Sequence, residues 1–185
     1  MVTVTIDGKQ MTVDENLTIL QAARQAGIVI PTLCYLEGLN EIGACRLCVV
    51  EVAGMNRLVS SCNTRVQKGM VVATNTEKVR AARKLNTELI LSQHDCRCAN
   101  CSRSGNCVLQ KIANDLGILE ISYSKKVKAG KWNEAFPLIR DETRCVKCMR
   151  CIQVCNKVQG VGVWDIANTG GRTTVAVSGS RSIEA

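Results

Sequence analysis

Three groups of cysteines, one of which contains the only histidine, are the residues most capable of chemistry in this sequence. Residues 94–107 read HDCRCANCSRSGNC and hold that histidine with four of the twelve cysteines. Considered alone, this stretch could form a disulfide knot, a zinc site, an iron-sulfur cluster, or a nucleophilic cysteine with its base. Ligation of a metal would consume the histidine that a nucleophilic pair needs as its base. The rest of the sequence has to distinguish these possibilities.

The number and grouping of the cysteines favour metal binding. The first residues, MVTVTIDGKQ, contain no basic segment followed by an apolar one. No apolar run reaches the roughly 18 residues that span a bilayer. We therefore expect a cytoplasmic protein without direct insertion into a membrane. Because the cytosol keeps unliganded thiols reduced, cysteines in C-x-x-C groups are better explained there by metal ligation than by disulfides.

The basic composition does not by itself indicate a nucleic-acid partner. The formal net charge is +8, but that count treats every cysteine as neutral. Three iron-sulfur clusters with their thiolate ligands would bring roughly −5, which leaves about +3. This is an ordinary balance for a protein of this size, so we expect no nucleic acid among the partners.

The elements that must position the first group are indicated by the pattern of residues 1–77. Alternating apolar and polar residues in VTVTIDGKQMTV predict a β-hairpin that turns at Asp7 and Gly8. Thr18 and Gln21 predict a capping box for the helix ILQAARQAG. The segments VVEV, RLVSS and MVVAT predict three further strands. We expect residues 1–77 to form one compact mixed domain around a cysteine-bearing loop.

A long helix is predicted to lead to the second group. In EKVRAARKLNTELILSQ, the apolar residues Val79, Ala82, Leu85 and Leu89 recur at helical spacing, and the helix would deliver His94 at its end. A second helix is predicted over residues 107–117. Residues 78–117 are therefore expected to form a small helical domain.

The remaining residues are expected to form a connector and a third unit. Residues 118–140 are basic and predict a connector, while residues 141–185 carry the third cysteine group. Two short strands are predicted around Gly170 and Gly171.

The first group places four cysteines in and beside one loop. Its spacing is C-x10-C-x2-C-x13-C, and its members are Cys34, Cys45, Cys48 and Cys62. The sulfurs of a cluster need backbone N–H donors, and small residues such as Gly43 and Ala44 let the chain wrap closely. A zinc site of four cysteines is the alternative, although zinc sites usually pair two short C-x2-4-C knuckles.

With its long first gap and its hairpin and helix, this region resembles the N-terminal 2Fe-2S domain of the large iron-sulfur subunit of respiratory complex I. A similar domain opens the multi-cluster iron-only hydrogenases and related NAD-linked formate dehydrogenases. The resemblance implies a β-grasp 2Fe-2S ferredoxin domain over residues 1–77, with one 2Fe-2S cluster on the four cysteines.

The second group matches the spacing of the histidine-plus-three-cysteine 4Fe-4S site of the same family. Its members are His94, Cys98, Cys101 and Cys107. A neutral imidazole in place of one thiolate leaves the site with one negative charge fewer, so that it is easier to reduce. Cys96 fits none of these positions. It could be a buried spectator, a reactive thiol or a ligand of another cluster, and we expect the first.

The third group is similar to the half-motif of bacterial two-cluster ferredoxins, with the spacing C-x2-C-x2-C-x3-C. Its members are Cys145, Cys148, Cys151 and Cys155. In such ferredoxins the fourth cysteine ligates the other cluster, but no second half-motif follows here, and Asn156 stands where a proline is usual. The last ligand could be Cys155, Cys96 or a residue of a partner subunit. We expect a local 4Fe-4S site that uses Cys155.

The resemblance implies an α+β fold: a β-grasp 2Fe-2S domain, a small helical domain whose cluster has one histidine and three cysteine ligands, and a bacterial-ferredoxin-like C-terminal half. No glycine fingerprint for nucleotides and no acid-base constellation is visible, so we predict no catalytic residue. The implied function is an electron-transfer subunit that relays single electrons through these clusters. Its partners would be a flavin-containing subunit that oxidises NAD(P)H and a second redox module.

That second module could be a hydrogenase, a formate dehydrogenase, a soluble ferredoxin or a second flavoprotein, and the resemblance includes electron-bifurcating complexes. Two alternatives remain at this point. One is a zinc-stabilised binding module. The other is the relay fragment of a longer iron-only hydrogenase.

Overall fold

The computed structural model describes residues 1–125, 127 and 140–180. These residues separate into two compact units, with the division between Thr87 and Glu88. Most of the predicted connector, namely residues 126 and 128–139, lies outside the described residues, as do residues 181–185 of the predicted third domain.

The first unit begins with the predicted hairpin. Strands β1 (Val2–Ile6) and β2 (Lys9–Val13) pair antiparallel. Asp7 and Gly8 between them have φ angles of 47° and 80°, the left-handed conformations that a primed turn requires. The turn is therefore confirmed at the predicted residues.

Three further strands complete a mixed five-stranded sheet in the order β2-β1-β5-β3-β4. These strands are β3 (Val49–Val52), β4 (Val59–Ser60) and β5 (Val71–Ala73). Strand β5 runs parallel to β1 and antiparallel to β3. The chain between the hairpin and β3 must therefore cross over, and it carries a helix and the loop of the first cysteine group.

Helix α1 (Ile19–Gln25) closes the core of this unit. Thr18 and Gln21 form the predicted capping box in both directions. Its buried residues include Ile19 and Leu20, which belong to one apolar cluster with strand residues such as Val4. Burial of this face stabilises the base on which the cysteine loop is built.

Helix α2 (Glu77–Leu91) forms where it was predicted, but its buried face differs from the apolar spacing. Leu85 and Leu89 are 45% and 39% exposed, whereas Val79, Arg83 and Thr87 are buried. The apolar spacing that predicts the helix therefore does not coincide with its buried face at these two leucines. Arg83 and Thr87 are buried instead because their side chains donate hydrogen bonds to backbone carbonyls.

The second unit holds short helices and one hairpin. Helix α3 (Val108–Asp115) lies within the residues predicted to be helical. Helix α4 (Arg150–Val154) continues into a π-helical turn, Cys155–Gln159. Strands β6 (Trp164–Ala167) and β7 (Thr174–Val177) pair antiparallel around Gly170 and Gly171, as predicted.

One apolar cluster of the second unit contains Met149, Ile152 and Val175, with Cys145 and Trp164 packed against them. Leu109, Ile112 and Ala113 of helix α3 are buried as well. Together the two units give a mixed α/β protein. Among the described residues, no helix is both long enough and apolar enough to span a bilayer.

Candidate metal centres

The four cysteines of the first group lie close together and mostly buried. Cys34, Cys48 and Cys62 are each at most 1% exposed, and Cys45 is half-buried. Their thiols form two hydrogen-bonded pairs, Cys34 with Cys45 and Cys48 with Cys62. The structure therefore brings all four predicted residues of this group into one site.

The two pairs differ in how readily each sulfur loses its proton. The hydrogen bond from the Cys34 thiol lowers the pKa of Cys45 to about 6, and the bond from Cys62 lowers the pKa of Cys48 to about 7. In turn, the pKa values of Cys34 and Cys62 are raised, first by these hydrogen bonds and then by burial. One thiol of each pair therefore loses its proton more readily, and the thiolate is the form of cysteine that ligates metal.

Backbone groups around these sulfurs match what an iron-sulfur cluster needs. Backbone groups of Leu47, Cys34 and Leu33 lie close enough to the Cys45 sulfur to lower the pKa of its thiol. The ligand backbone is itself held, because Asn40 donates from its side-chain nitrogen to the Cys34 carbonyl at 2.7 Å. The Ser61 hydroxyl donates to the Cys48 carbonyl at 2.8 Å. The donor set of four thiols with N–H groups near sulfur fits a 2Fe-2S cluster.

Gly43 permits a close approach of this loop to the strand that follows it. Its φ angle is +66°, and a Cβ atom there would lie 2.9 Å from Asn63 Nδ2 and 3.2 Å from Ser60 Oγ. Asn63 is exposed and can move, but Ser60 is buried and accepts a hydrogen bond from Arg46. Both the backbone conformation and the space therefore favour glycine.

We expect Gly43→Ala to lower both the free energy of unfolding and the iron content of the first site. The left-handed backbone alone costs about 1 kcal/mol for alanine, and displacement of Ser60 adds to that cost. Gly54→Ala is the matched control, because Gly54 has a φ angle of +80° and nothing within 4 Å of the added Cβ. Urea denaturation and iron analysis compare the two. Equal losses in both variants would show that the close approach at Gly43 is unimportant.

The second group converges on a cavity of about 330 Å³. His94, Cys98 and Cys107 line this cavity together with Cys96. Cys101 is not among the lining residues, although its backbone N–H donates to the Cys98 carbonyl at 3.1 Å. The structure therefore brings three of the four predicted residues to one cavity and leaves the fourth beside it.

His94 has the properties of a metal ligand. Burial is the main cause that lowers its pKa, so that the imidazole is neutral, the form that binds metal. Among the described residues, its Nδ1 atom is buried and has no hydrogen-bond partner. A buried nitrogen without a partner is costly in a protein, and a metal site on this ring explains its placement.

Cys96 faces the same cavity but uses its thiol elsewhere. Its Sγ donates to the carbonyl of His94 at 3.3 Å, and burial raises its pKa. A half-buried thiol with a raised pKa is a poor nucleophile. That Cys96 is a spectator stays a prediction.

Three cysteines of the third group act on one another. Burial raises the pKa of Cys151, and the electrostatic interaction with Cys148 and Cys145 raises it further. Lys147 has a φ angle of +54° and donates its backbone N–H to the Cys145 sulfur at 3.4 Å. Left-handed residues of this kind turn successive N–H groups toward one point, as anion and cluster sites require.

Cys155 is buried, and the hydrogen-bond partner of its sulfur lies outside the third group. It is 3% exposed, and its Sγ accepts a hydrogen bond from the backbone N–H of Val163 at 3.3 Å. That Cys155 completes the third site stays a prediction.

Hydrogen bonds connect the segments that carry the second and third groups. The N–H of Asp95 donates to the Thr143 carbonyl at 2.7 Å, and Arg144 donates to the Asn100 carbonyl at 3.2 Å. Arg144 also lies 3.1 Å from the carboxylate of Asp141. Sequence reasoning missed these links, because nothing in the spacing of either group indicates which loop packs on the other.

Among the described residues, no group of three or more His, Cys, Asp or Glu side chains is arranged around a single point as one metal ion would require.

Comparison with known families assigns iron-sulfur chemistry to most of the chain. A family described as a 2Fe-2S iron-sulfur cluster binding domain matches residues 1–77. The NADH-ubiquinone oxidoreductase-G iron-sulfur binding region matches residues 83–122. The chain thus carries a 2Fe-2S domain followed by a 4Fe-4S-type region, which include the first and second cysteine groups.

Similar proteins are subunits of NADP- and NADH-linked oxidoreductases. The chain is 44% identical over 182 residues to the NADP-reducing hydrogenase subunit HndD of Solidesulfovibrio fructosivorans, covering 95% of this chain and 31% of that protein. It is 35% identical over 185 residues to the mitochondrial NADH-ubiquinone oxidoreductase 78 kDa subunit of Candida albicans, covering 98% of this chain and 26% of that protein. The chain therefore spans less than a third of the length of these curated relatives.

A solved structure extends the likeness to the fold. The crystal structure of an NAD+-reducing NiFe-hydrogenase in the H2-reduced state contains a chain that matches with a TM-score of 0.86 and 27% sequence identity. The match covers 97% of this chain and 76% of that chain.

Proposed function

We propose that this chain, whose domains and relatives are those of the iron-sulfur subunits of NADH-quinone oxidoreductase and NAD(P)-linked hydrogenases, is an electron relay. The observation that carries the proposal is the first site. Three buried cysteines and one half-buried cysteine lie close together there, with backbone N–H groups near their sulfurs, inside the domain that matches a 2Fe-2S family. Iron-sulfur clusters supply one-electron redox chemistry when bound.

The ligands that we assign follow the three groups. A 2Fe-2S cluster is held by the first group in a β-grasp ferredoxin domain, and a 4Fe-4S cluster is held by His94 with Cys98, Cys101 and Cys107 in a small helical domain. A third, 4Fe-4S cluster is held by Cys145, Cys148, Cys151 and Cys155 in a C-terminal half like that of bacterial ferredoxins.

The residues around the first two sites are suited to electron transfer rather than to catalysis on a substrate. In the first site, burial keeps solvent from the sulfurs, and N–H donors stabilise negative charge on them. In the second, the neutral imidazole of His94 reduces the negative charge of the ligand set. Sites that differ in ligand charge differ in reduction potential.

The partners that we propose are a flavin-containing subunit that oxidises NAD(P)H and a second redox module in the cytoplasm. That module is a hydrogenase, a formate dehydrogenase, a ferredoxin or a second flavoprotein. The proposal is supported by the relatives, which by their names belong to an NADP-reducing hydrogenase and an NADH-ubiquinone oxidoreductase. A place in an electron-bifurcating complex remains within this proposal.

Metal and sulfide analysis of the anaerobically purified chain tests the proposal, together with low-temperature electron paramagnetic resonance of the reduced protein. We expect about ten iron atoms per chain, from one 2Fe-2S and two 4Fe-4S clusters. About six iron atoms would contradict the third site as assigned here. Zinc without sulfide would contradict the relay and favour a zinc-stabilised binding module.

A further inference from the structure

Arg83 is a buried cation beside the first site. Its side chain lies on helix α2 and is 6% exposed. Its Nε donates to the carbonyl of Leu47 at 3.0 Å, and its Nη2 donates to the carbonyl of Val49 at 2.8 Å. These two carbonyls flank Cys48 in the sequence, so one guanidinium holds the backbone on both sides of a ligand that we assign to the cluster.

Buried residues one turn before and one turn after Arg83 hold it at this position on helix α2. One turn before it, Val79 is fully buried. One turn after it, the buried hydroxyl of Thr87 donates to the Arg83 carbonyl at 2.8 Å. Asn86 adds a hydrogen bond from its side-chain nitrogen to the carbonyl of Arg46 at 3.1 Å. The helix is therefore tied to the cysteine loop at Arg46, Leu47 and Val49.

The charge of Arg83 is only partly balanced in the protein itself. Both of its hydrogen-bond partners are neutral carbonyls, and none of the ion pairs among the described residues includes it. Burial lowers its pKa, while the nearby charges of Cys48 and Asp7 raise it. Arginine remains charged in proteins, so this site retains a buried cation that a negative group should balance.

We propose that Arg83 is a positioning residue of the 2Fe-2S site, which holds the backbone around Cys48 and raises the reduction potential of the cluster by its buried positive charge. This inference rests on the proposed function. Uptake of an electron makes the cluster and its thiolates one unit more negative. A cation at low dielectric stabilises that reduced form more than the oxidised form.

Three variants of the full chain separate the charge of Arg83 from its packing. Arg83→Gln removes the charge and keeps a hydrogen-bond donor, whereas Arg83→Lys keeps the charge and loses the planar fork. Arg80→Gln is the matched control, because Arg80 lies on the same helix and is exposed. Each protein is reconstituted anaerobically and analysed for iron and sulfide. The 2Fe-2S signal is then titrated against potential by electron paramagnetic resonance.

We expect Arg83→Gln to disfavour reduction of the 2Fe-2S cluster about tenfold or more, which for a one-electron couple is a potential lower by about 59 mV. Arg83→Lys should stay within about threefold of the wild type, because the cation remains. Arg80→Gln should also stay within about threefold, because solvent screens an exposed charge.

The other possible results test the inference and the premise beneath it. A fully loaded Arg83→Gln variant with the wild-type potential would overturn the electrostatic role. If Arg83→Gln does not assemble the cluster, the role of the charge is tested with Arg83→Lys instead. A loaded lysine variant at the wild-type potential supports the role of the charge, while an unloaded one or a lowered potential overturns it. Absence of a 2Fe-2S signal in the wild type would overturn the proposed function itself.

Discussion

Cys48→Ala is expected to abolish the 2Fe-2S cluster while leaving the other sites loaded. Iron should fall by about two atoms per chain, and the 2Fe-2S resonance should disappear. Cys48 is 1% exposed and its thiol is paired with that of Cys62, so no side chain exposed to solvent can replace its sulfur. The free energy of unfolding should fall by about 2 kcal/mol or more, because a cluster bound only to the folded state stabilises it.

The control for this prediction is Cys96→Ala. Cys96 belongs to no ligand set that we assign, and its thiol donates to the carbonyl of His94. This variant should therefore keep its full iron content and all of its resonances. Loss of iron from Cys96→Ala would contradict our ligand sets, and a retained 2Fe-2S signal in Cys48→Ala would contradict the first site.

The second large effect is expected for His94→Cys. The variant should keep the iron of the second site, but its cluster should become harder to reduce by about tenfold or more, or about 59 mV for a one-electron couple. The physical reason is charge, because a thiolate adds one negative charge where the buried imidazole is neutral. A redox titration followed by electron paramagnetic resonance measures the shift.

His94→Ala is the comparison that identifies the histidine as a ligand. It removes the ligand without supplying another, and the second site should lose its iron, whereas His94→Cys retains it. Full iron content in His94→Ala, or an unchanged potential in His94→Cys, would mean that His94 does not ligate the cluster. Its buried Nδ1 atom without a partner among the described residues would then need another explanation.

The parts of the fold that follow from the sequence are those that depend on neighbouring residues. The turn at Asp7 and Gly8 needs two left-handed residues in succession, and the capping box of α1 joins Thr18 to a residue three positions later. Both features depend on sterics and hydrogen bonds within a few residues. The order of the three cysteine groups is also local information, and comparison with known families agrees with it for residues 1–122.

Features that join distant segments could not be predicted in this way. The spacing of Leu85 and Leu89 predicted helix α2, but it does not indicate which face of the helix is buried, and both leucines are exposed. Arg83 is buried instead, because the carbonyls of Leu47 and Val49 need donors once the cysteine loop folds against the helix. Likewise, the link from Asp95 to Thr143 exists only because two loops meet.

The sequence by itself therefore determined which residues are the candidate ligands and in what order they come, since ligand spacing and local turns are encoded in short segments. Only the tertiary structure decided what surrounds those residues. It placed Arg83 beside Cys48, left the His94 nitrogen without a described partner, and directed the Cys155 sulfur to Val163. The reason is that a buried polar group must find its partner wherever folding brings one, and that partner can lie far along the chain.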